Sequence, residues 1–326
     1  DFEKTKWVYI CYTRPGGESV KHDHVVSRFR YEDGMLNKAT EQVIIKIPAL
    51  RDKDRIHEAG SLAFDPKGNL FISSGDNQDH TQFHYAARTS TNSAVLNGKI
   101  LRIRPRENGG YTIPDGNLFP IGTPKTRPEI YVMGCRNPFR ISIDQRTSHL
   151  YWGENGPADH YSGSLQNVDK KLLPLGFDEF NQARKPGYFG WPYHVGVEYY
   201  NDYNYATEIS GASFAKGIIN DSPRNTGLKE LPPVNPATVW YPYAKSEEFP
   251  ELGDGGRNSM AGPVIYQDGL EHNFPAYFDG KAMWYDWVRA RIMMITLDDN
   301  NKAVKLEPFL DSVKLNHPID IKVGNK

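Results

Sequence analysis

The chain has 326 residues, with 39 Lys and Arg against 40 Asp and Glu. A balance that close supplies no field to hold a phosphate backbone or an anionic membrane surface, so nucleic acid is excluded as a principal partner. No apolar run approaches the roughly 20 residues of a membrane-spanning helix, and Cys11 and Cys135 alone make neither a disulfide framework nor a cysteine zinc site.

Aromatic residues form 12% of the chain, and 29 Gly with 23 Pro supply many turns. Apolar residues seldom recur at helical spacing, whereas short β-rich runs recur throughout. Strands are predicted at Trp7–Tyr12, Val25–Arg30, Val43–Ile47, Leu70–Ser73, Ile100–Arg104, Ile130–Met133, Ile141–Ile143, Leu150–Trp152, Val264–Tyr266, Ala282–Tyr285 and Ile292–Leu297. Ser61–Ser73 and Arg140–Trp152 share one plan: a strand, a turn opened by Asp65 or Asp144, and a second strand. The two aspartates lie about two blades apart at roughly 40 residues per four-stranded blade, which predicts an all-β propeller. Pro318–Lys326 is a third, weaker echo, so the chain is expected to end inside a blade. Residues 199–250 are rich in Tyr, Asn and Pro and read as a long ordered excursion within a single domain of residues 1–326. The start at Asp1, with neither Met nor signal peptide, is expected of a processed export or of a piece of a longer chain.

Four segments carry residues suited to chemistry. If the strands around Asp65 form a hairpin, His57 and Asp76 emerge at its same end, and a carboxylate beside a histidine fixes the tautomer that a general base needs. Spacing equally allows a histidine near a turn acid. Gly134-Cys-Arg-Asn-Pro138 presents Arg136 and Asn137, directional donors for a quinone carbonyl or a carboxylate, or for a surface acid. Glu154-Asn-Gly-Pro157 turns the chain so that main-chain carbonyls can face calcium, or is an ordinary turn. Glu179, in Asp178-Glu-Phe-Asn181 ahead of Gly190-Trp-Pro192, suits calcium or a solvated loop.

Taken in order, these segments resemble the glucose/sorbosone dehydrogenases, the PQQ-dependent aldose dehydrogenases built as six-bladed β-propellers. The resemblance runs through His57-x-x-Gly60-x-Leu62, Gly75-Asp76, Gly98-Lys-Ile-Leu-Arg-Ile103, Gly134–Pro138, Glu154–Pro157, Asp178–Asn181 and Gly190–Pro192. It implies that His57 is the base for sugar oxidation, with Asp76 orienting it, and that Arg136 and Asn137 contact pyrroloquinoline quinone (PQQ). It implies main-chain calcium ligands at Gly156 and Pro157, and a second, structural calcium at Glu179. Arg289 and Arg291 are its candidates for the late cofactor cations, and His317 stands where the family carries an arginine pair. Asp159–Pro174 lengthens a loop at the expected mouth.

The wording around Thr126–Pro138 is similar to propeller domains of large exported bacterial proteins, which implies a periplasmic or extracellular setting. Some of those also carry a cytochrome c domain as electron acceptor. No Cys-x-x-Cys-His occurs here, so any haem lies outside these residues. Two other functions fit the same fold expectation: a non-catalytic propeller binding glycan or protein, and a calcium-dependent lactonase-like hydrolase in which His57 activates water.

Overall fold

The computed structural model describes residues 2–15, 21–51, 56–78, 87–157, 176–199, 201–204, 209–213, 218–267 and 274–324. Four sheets of blade size account for most of them. The first joins β1 (Trp7–Pro15), β2 (Lys21–Glu32) and β3 (Met35–Leu50). The second runs from β4 (Ala59–Phe64) through β5 (Leu70–Ser74), β6 (Lys99–Pro105) and β8 (Ile130–Met133) to β12 (Gly187–Tyr188), with β7 (Tyr111–Thr112) beside β6. The third orders β9 (Pro138–Ile143), β10 (Leu150–Glu154), β11 (Asp178–Ala183) and β17 (Val239–Tyr241). Two short hairpins intervene in the chain, β13 (His194–Val195) with β14 (Glu198–Tyr199) and β15 (Asn201–Asn204) with β16 (Ile209–Ser213). The fourth sheet orders β18 (Ser259–Val264), β19 (Ala282–Asp286), β20 (Arg291–Leu297) and β21 (Ala303–Phe309).

The sheets stack face to face in chain order. Val26, Ile45 and Ile47 of the first pack on Leu70, Ile72 and Leu101 of the second. Phe71, Ile100 and Val132 meet Ile141, Leu150 and Trp152 of the third; Tyr151, Phe180 and Tyr241 meet Ala261, Trp284 and Met293 of the fourth. A strand covered on both faces needs a continuous apolar run rather than alternation. The second strands of three successive sheets approach that form: every residue of β5, β10 and β19 is buried, and the polar ones, Ser73, Ser74, Glu154 and Asp286, fall at the strand ends. This is a propeller, nearly all β as expected.

Both Asp-led turns form as predicted. Asp65 accepts the N–H groups of Lys67 and Asn69 at 2.9 and 2.8 Å, and Asp144 accepts that of Arg146 at 2.9 Å. The Val264–Tyr266 prediction is shifted, because the strand is β18 and ends at Val264. Residues 315–324 contain no strand. Leu315 and Ile321 pack on the outer face of the fourth sheet, and the Ile319 carbonyl accepts Arg140 Nε at 2.8 Å and the Tyr285 hydroxyl at 3.2 Å. Part of the 199–250 excursion, and all of the Asp159–Pro174 insertion, lie outside the described residues.

Candidate active site at the strand ends

Each of these sheets begins with a hairpin whose Asp-led or loop end faces one way, so the entry of its first strand and the exit of its second lie together at the other. Registers show it: Ala59 opposes Ser74, Pro138 opposes Glu154, and Ser259 opposes Asp286. The first strands, β4, β9 and β18, lie side by side, so three such ends gather on one face. Each second strand closes with a buried acid, Asp76, Glu154 or Asp286, that clasps the arm entering its own hairpin. Glu154 Oε1 accepts the N–H groups of Arg136 (2.9 Å) and Asn137. Asp286 Oδ2 accepts that of Asn258 at 2.9 Å.

In the second sheet the clasped group is a side chain. His57 Nδ1 lies 2.8 Å from Asp76 Oδ1, with only 8% and 1% of the two side chains exposed. A carboxylate accepts, so Nδ1 carries a proton, and in the neutral ring the lone pair then falls on Nε2. Asp76 is anchored on every side: its Oδ1 also takes Gln78 N–H at 3.2 Å, its Oδ2 takes the Trp191 indole N–H at 2.9 Å, and its N–H reaches the Arg136 carbonyl at 2.8 Å. His57 has φ +61°, in the left-handed region that a β-carbon disfavours. Gly75 makes the fit possible, because a Cβ there would sit 2.0 Å from the His57 carbonyl oxygen.

The expected cofactor residues adjoin this pair. The Arg136 guanidinium donates to the Asn155 carbonyl at 2.7 Å and lies 5.6 Å over the Trp191 ring. Asn137 Oδ1 is buried and accepts no hydrogen bond among the described residues. A planar polycarboxylate quinone calls for a guanidinium, an amide and an aromatic wall, and these residues fit it.

Arg289 and Arg291 are not brought to the cluster. Arg289 donates to the carbonyls of Gly256 (2.9 Å), Leu252 (2.8 Å) and Pro242 (2.8 Å), while Arg291 reaches the Glu251 carbonyl at 3.2 Å. Both line a separate cleft with Leu252–Gly256 and Val288. The His317 ring lies tilted against that of Trp287, centroids 4.5 Å apart.

Missed in the sequence was Arg257, buried at the entry to β18. It donates to the Pro157 carbonyl at 2.6 Å and to that of Gly176, with Asp178 Oδ1 at 3.7 Å. The Gly156 N–H meanwhile donates to Asp178 Oδ1 at 3.1 Å. Of the two carbonyls expected at calcium, that of Pro157 thus meets a guanidinium. Glu179 differs: it lies opposite Glu154 across β10 and β11, bonded to Gly196 N–H and, at 2.7 Å, to Asn181 Nδ2. No three His, Cys, Asp or Glu side chains gather around one point among the described residues. The buried amide oxygens of Asn155 and Asn181, however, accept nothing among the described residues. Carboxylate and amide oxygens together suit an oxygen-seeking cation.

Burial pushes Glu154 up to about 8, with Glu179 adding to it, and burial likewise pushes Glu179 to about 7 and Asp178 to about 6. Below about pH 6.5 the histidines that burial depresses, His194 to about 4 with His24 and His149 also lowered, oppose these acids; from about pH 6.5 to about pH 8 the folded chain holds protons on Glu154 and Glu179 that the unfolded chain has released, so stability falls as pH rises. In chelator, the melting midpoint is expected to drop from about pH 6.5 to about pH 8; a midpoint that rises over this window contradicts the assignment.

The fold is a β-propeller with a strand-end site, and its relatives place it in a family. The glucose/sorbosone dehydrogenase profile matches residues 1–223, and the chain belongs to that family. It is 29% identical over 202 residues to aldose sugar dehydrogenase YliI of Escherichia coli K12, covering 61% of this chain and 46% of that protein. It is 35% identical over 149 residues to the HIPL2 protein of Arabidopsis thaliana, covering 42% and 18%. The chain thus spans under half the length of these curated relatives. In fold it is similar to the soluble aldose sugar dehydrogenase of E. coli in its apo form (TM-score 0.56, 19% identity, 95% of this chain and 70% of that one). It is also similar to the PQQ-bound aldose sugar dehydrogenase of Streptomyces coelicolor (TM-score 0.50, 17% identity, 95% and 64%).

Proposed function

We propose that the chain is the six-bladed propeller of a quinoprotein sugar dehydrogenase that oxidises an aldose hydroxyl with PQQ and passes the electrons to a cytochrome or another acceptor. One observation carries the reading: a histidine with its Nδ1 proton held by a buried aspartate, beside an arginine and an asparagine on the same face. PQQ, when bound, supplies the electrophilic carbonyl that accepts hydride from the sugar carbon.

The residues do the rest. His57 Nε2 takes the hydroxyl proton as hydride leaves the same sugar carbon, so an alcohol becomes a carbonyl and the electron pair goes to the quinone. Asp76 stabilises the imidazolium that forms. Arg136 and Asn137 hold the quinone's oxygens, and the Trp191 ring walls the site. Calcium enters at Glu179 as a structural ion, and adding it should raise the melting midpoint. An exported protein, periplasmic or extracellular, suits this chemistry, and among the described residues no helix is long and apolar enough to cross a membrane.

PQQ binding, followed by quinone absorbance, tests the cofactor assignment. Arg136→Ala is expected to weaken it about tenfold or more, the value of one charge-assisted hydrogen bond. Equal affinity in wild type and variant removes Arg136 from the cofactor site.

A further inference from the structure

We infer that Trp191 is a positioning residue for the base, acting through Asp76. The inference rests on the dehydrogenase reading for its catalytic consequence, but its physical content stands on the bond network alone. Asp76 has one oxygen on His57 and the other on the Trp191 indole, whose N–H donates at 2.9 Å from 115 residues away in sequence. A carboxylate restrained at only one oxygen rotates about its last bond and exchanges oxygens; restrained at both, it presents Oδ1 to Nδ1 in one geometry. The Gln78 amide at 3.2 Å on Oδ1 does not replace this, because it pulls on the same oxygen as His57.

Trp191 is itself fixed. Its backbone N–H donates to the Gly134 carbonyl at 3.1 Å, and its ring packs with Phe177, Val195 and Trp240. The Arg136 guanidinium over that ring makes Trp191 the residue that touches both the oriented acid and the cofactor-side arginine. A tryptophan that merely filled core would need only its ring. The buried acceptor it chose is the one that sets the tautomer of the base.

Trp191→Phe keeps the ring and deletes the N–H. With nitrogen-15 imidazole spectra of the cofactor-free protein, wild-type His57 is expected in a single neutral tautomer protonated at Nδ1. The variant should show both tautomers, with kcat for sugar oxidation about tenfold lower and KM unchanged. A folded variant that keeps the single tautomer overturns the inference. Should Trp191→Phe not fold, the wild type decides: the Trp191 indole N–H resonance must move when His57 takes up its second proton, and an indole resonance indifferent to that event overturns it equally. The spectra need neither PQQ nor sugar. Wild-type protein that oxidises no sugar therefore counts against the dehydrogenase reading, and tautomer spectra count for or against Trp191 separately.

Discussion

Replacing His57 by alanine is expected to slow sugar oxidation by about 10²–10⁴-fold while PQQ affinity stays close to that of the wild type. Under the proposed function His57 is the base, its imidazole held by buried Asp76 at 2.8 Å. The proposed cofactor contacts, Arg136 and Asn137, lie instead on the arm before β9, where the clasping acid is Glu154. Nor should the fold suffer greatly. His57 sits at φ +61°, a conformation that costs energy for any side-chain-bearing residue and is retained here for the site. Steady-state rates with an artificial electron acceptor check this; equal rates in wild type and variant would falsify the role of His57 as base.

Gly153→Ala should destabilise the protein by about 3 kcal/mol, the upper part of the range for overpacking a dense interior. Gly153 lies in β10 where the third sheet meets the fourth, and a Cβ there would fall 2.1 Å from the Ser259 carbonyl oxygen and 2.3 Å from Met260 N. Main chain cannot step aside as a flexible side chain would. Ser259 is pinned besides, its N–H on Asp178 Oδ2 at 3.1 Å, its hydroxyl donating to the Glu179 carbonyl at 2.7 Å and accepting the Trp284 indole at 2.9 Å. The sheets must part, and Glu154 moves with them. An unchanged urea midpoint for this variant contradicts the described packing.

What local sequence made legible was whatever depends on neighbours in the chain. Leu70–Ser73 and Leu150–Trp152 announce themselves as strands because both faces are buried and the runs are largely apolar. His57 and Asp76 were within reach because one hairpin carries both. Asp178–Ala183 misled: its acids and amides suggest a loop, yet it is an interior strand. Its polar groups are met by partners far off in sequence, Asp178 by Gly156 and Ser259, Glu179 by Gly196. Trp191 and Arg257 were missed for the same reason, since their roles lie in contacts 115 and 100 residues away. Gly190-Trp-Pro192 was visible as a motif, but nothing near it in the chain names Asp76 as its acceptor. Arg289 shows the converse error. An arginine at a plausible place in the order of motifs is taken up by the carbonyls of residues 242–256, which fold around it.

The central claim, that this strand-end site oxidises a sugar with PQQ, meets its most direct test in one measurement. Purified chain loaded with PQQ and calcium is offered a panel of aldoses and an artificial electron acceptor, and acceptor reduction is followed by absorbance. Turnover is expected to depend on sugar, to disappear without PQQ and to fall by about 10²–10⁴-fold in His57→Ala. Protein that binds PQQ yet reduces no acceptor with any aldose, or that fails to bind PQQ at all, contradicts the claim.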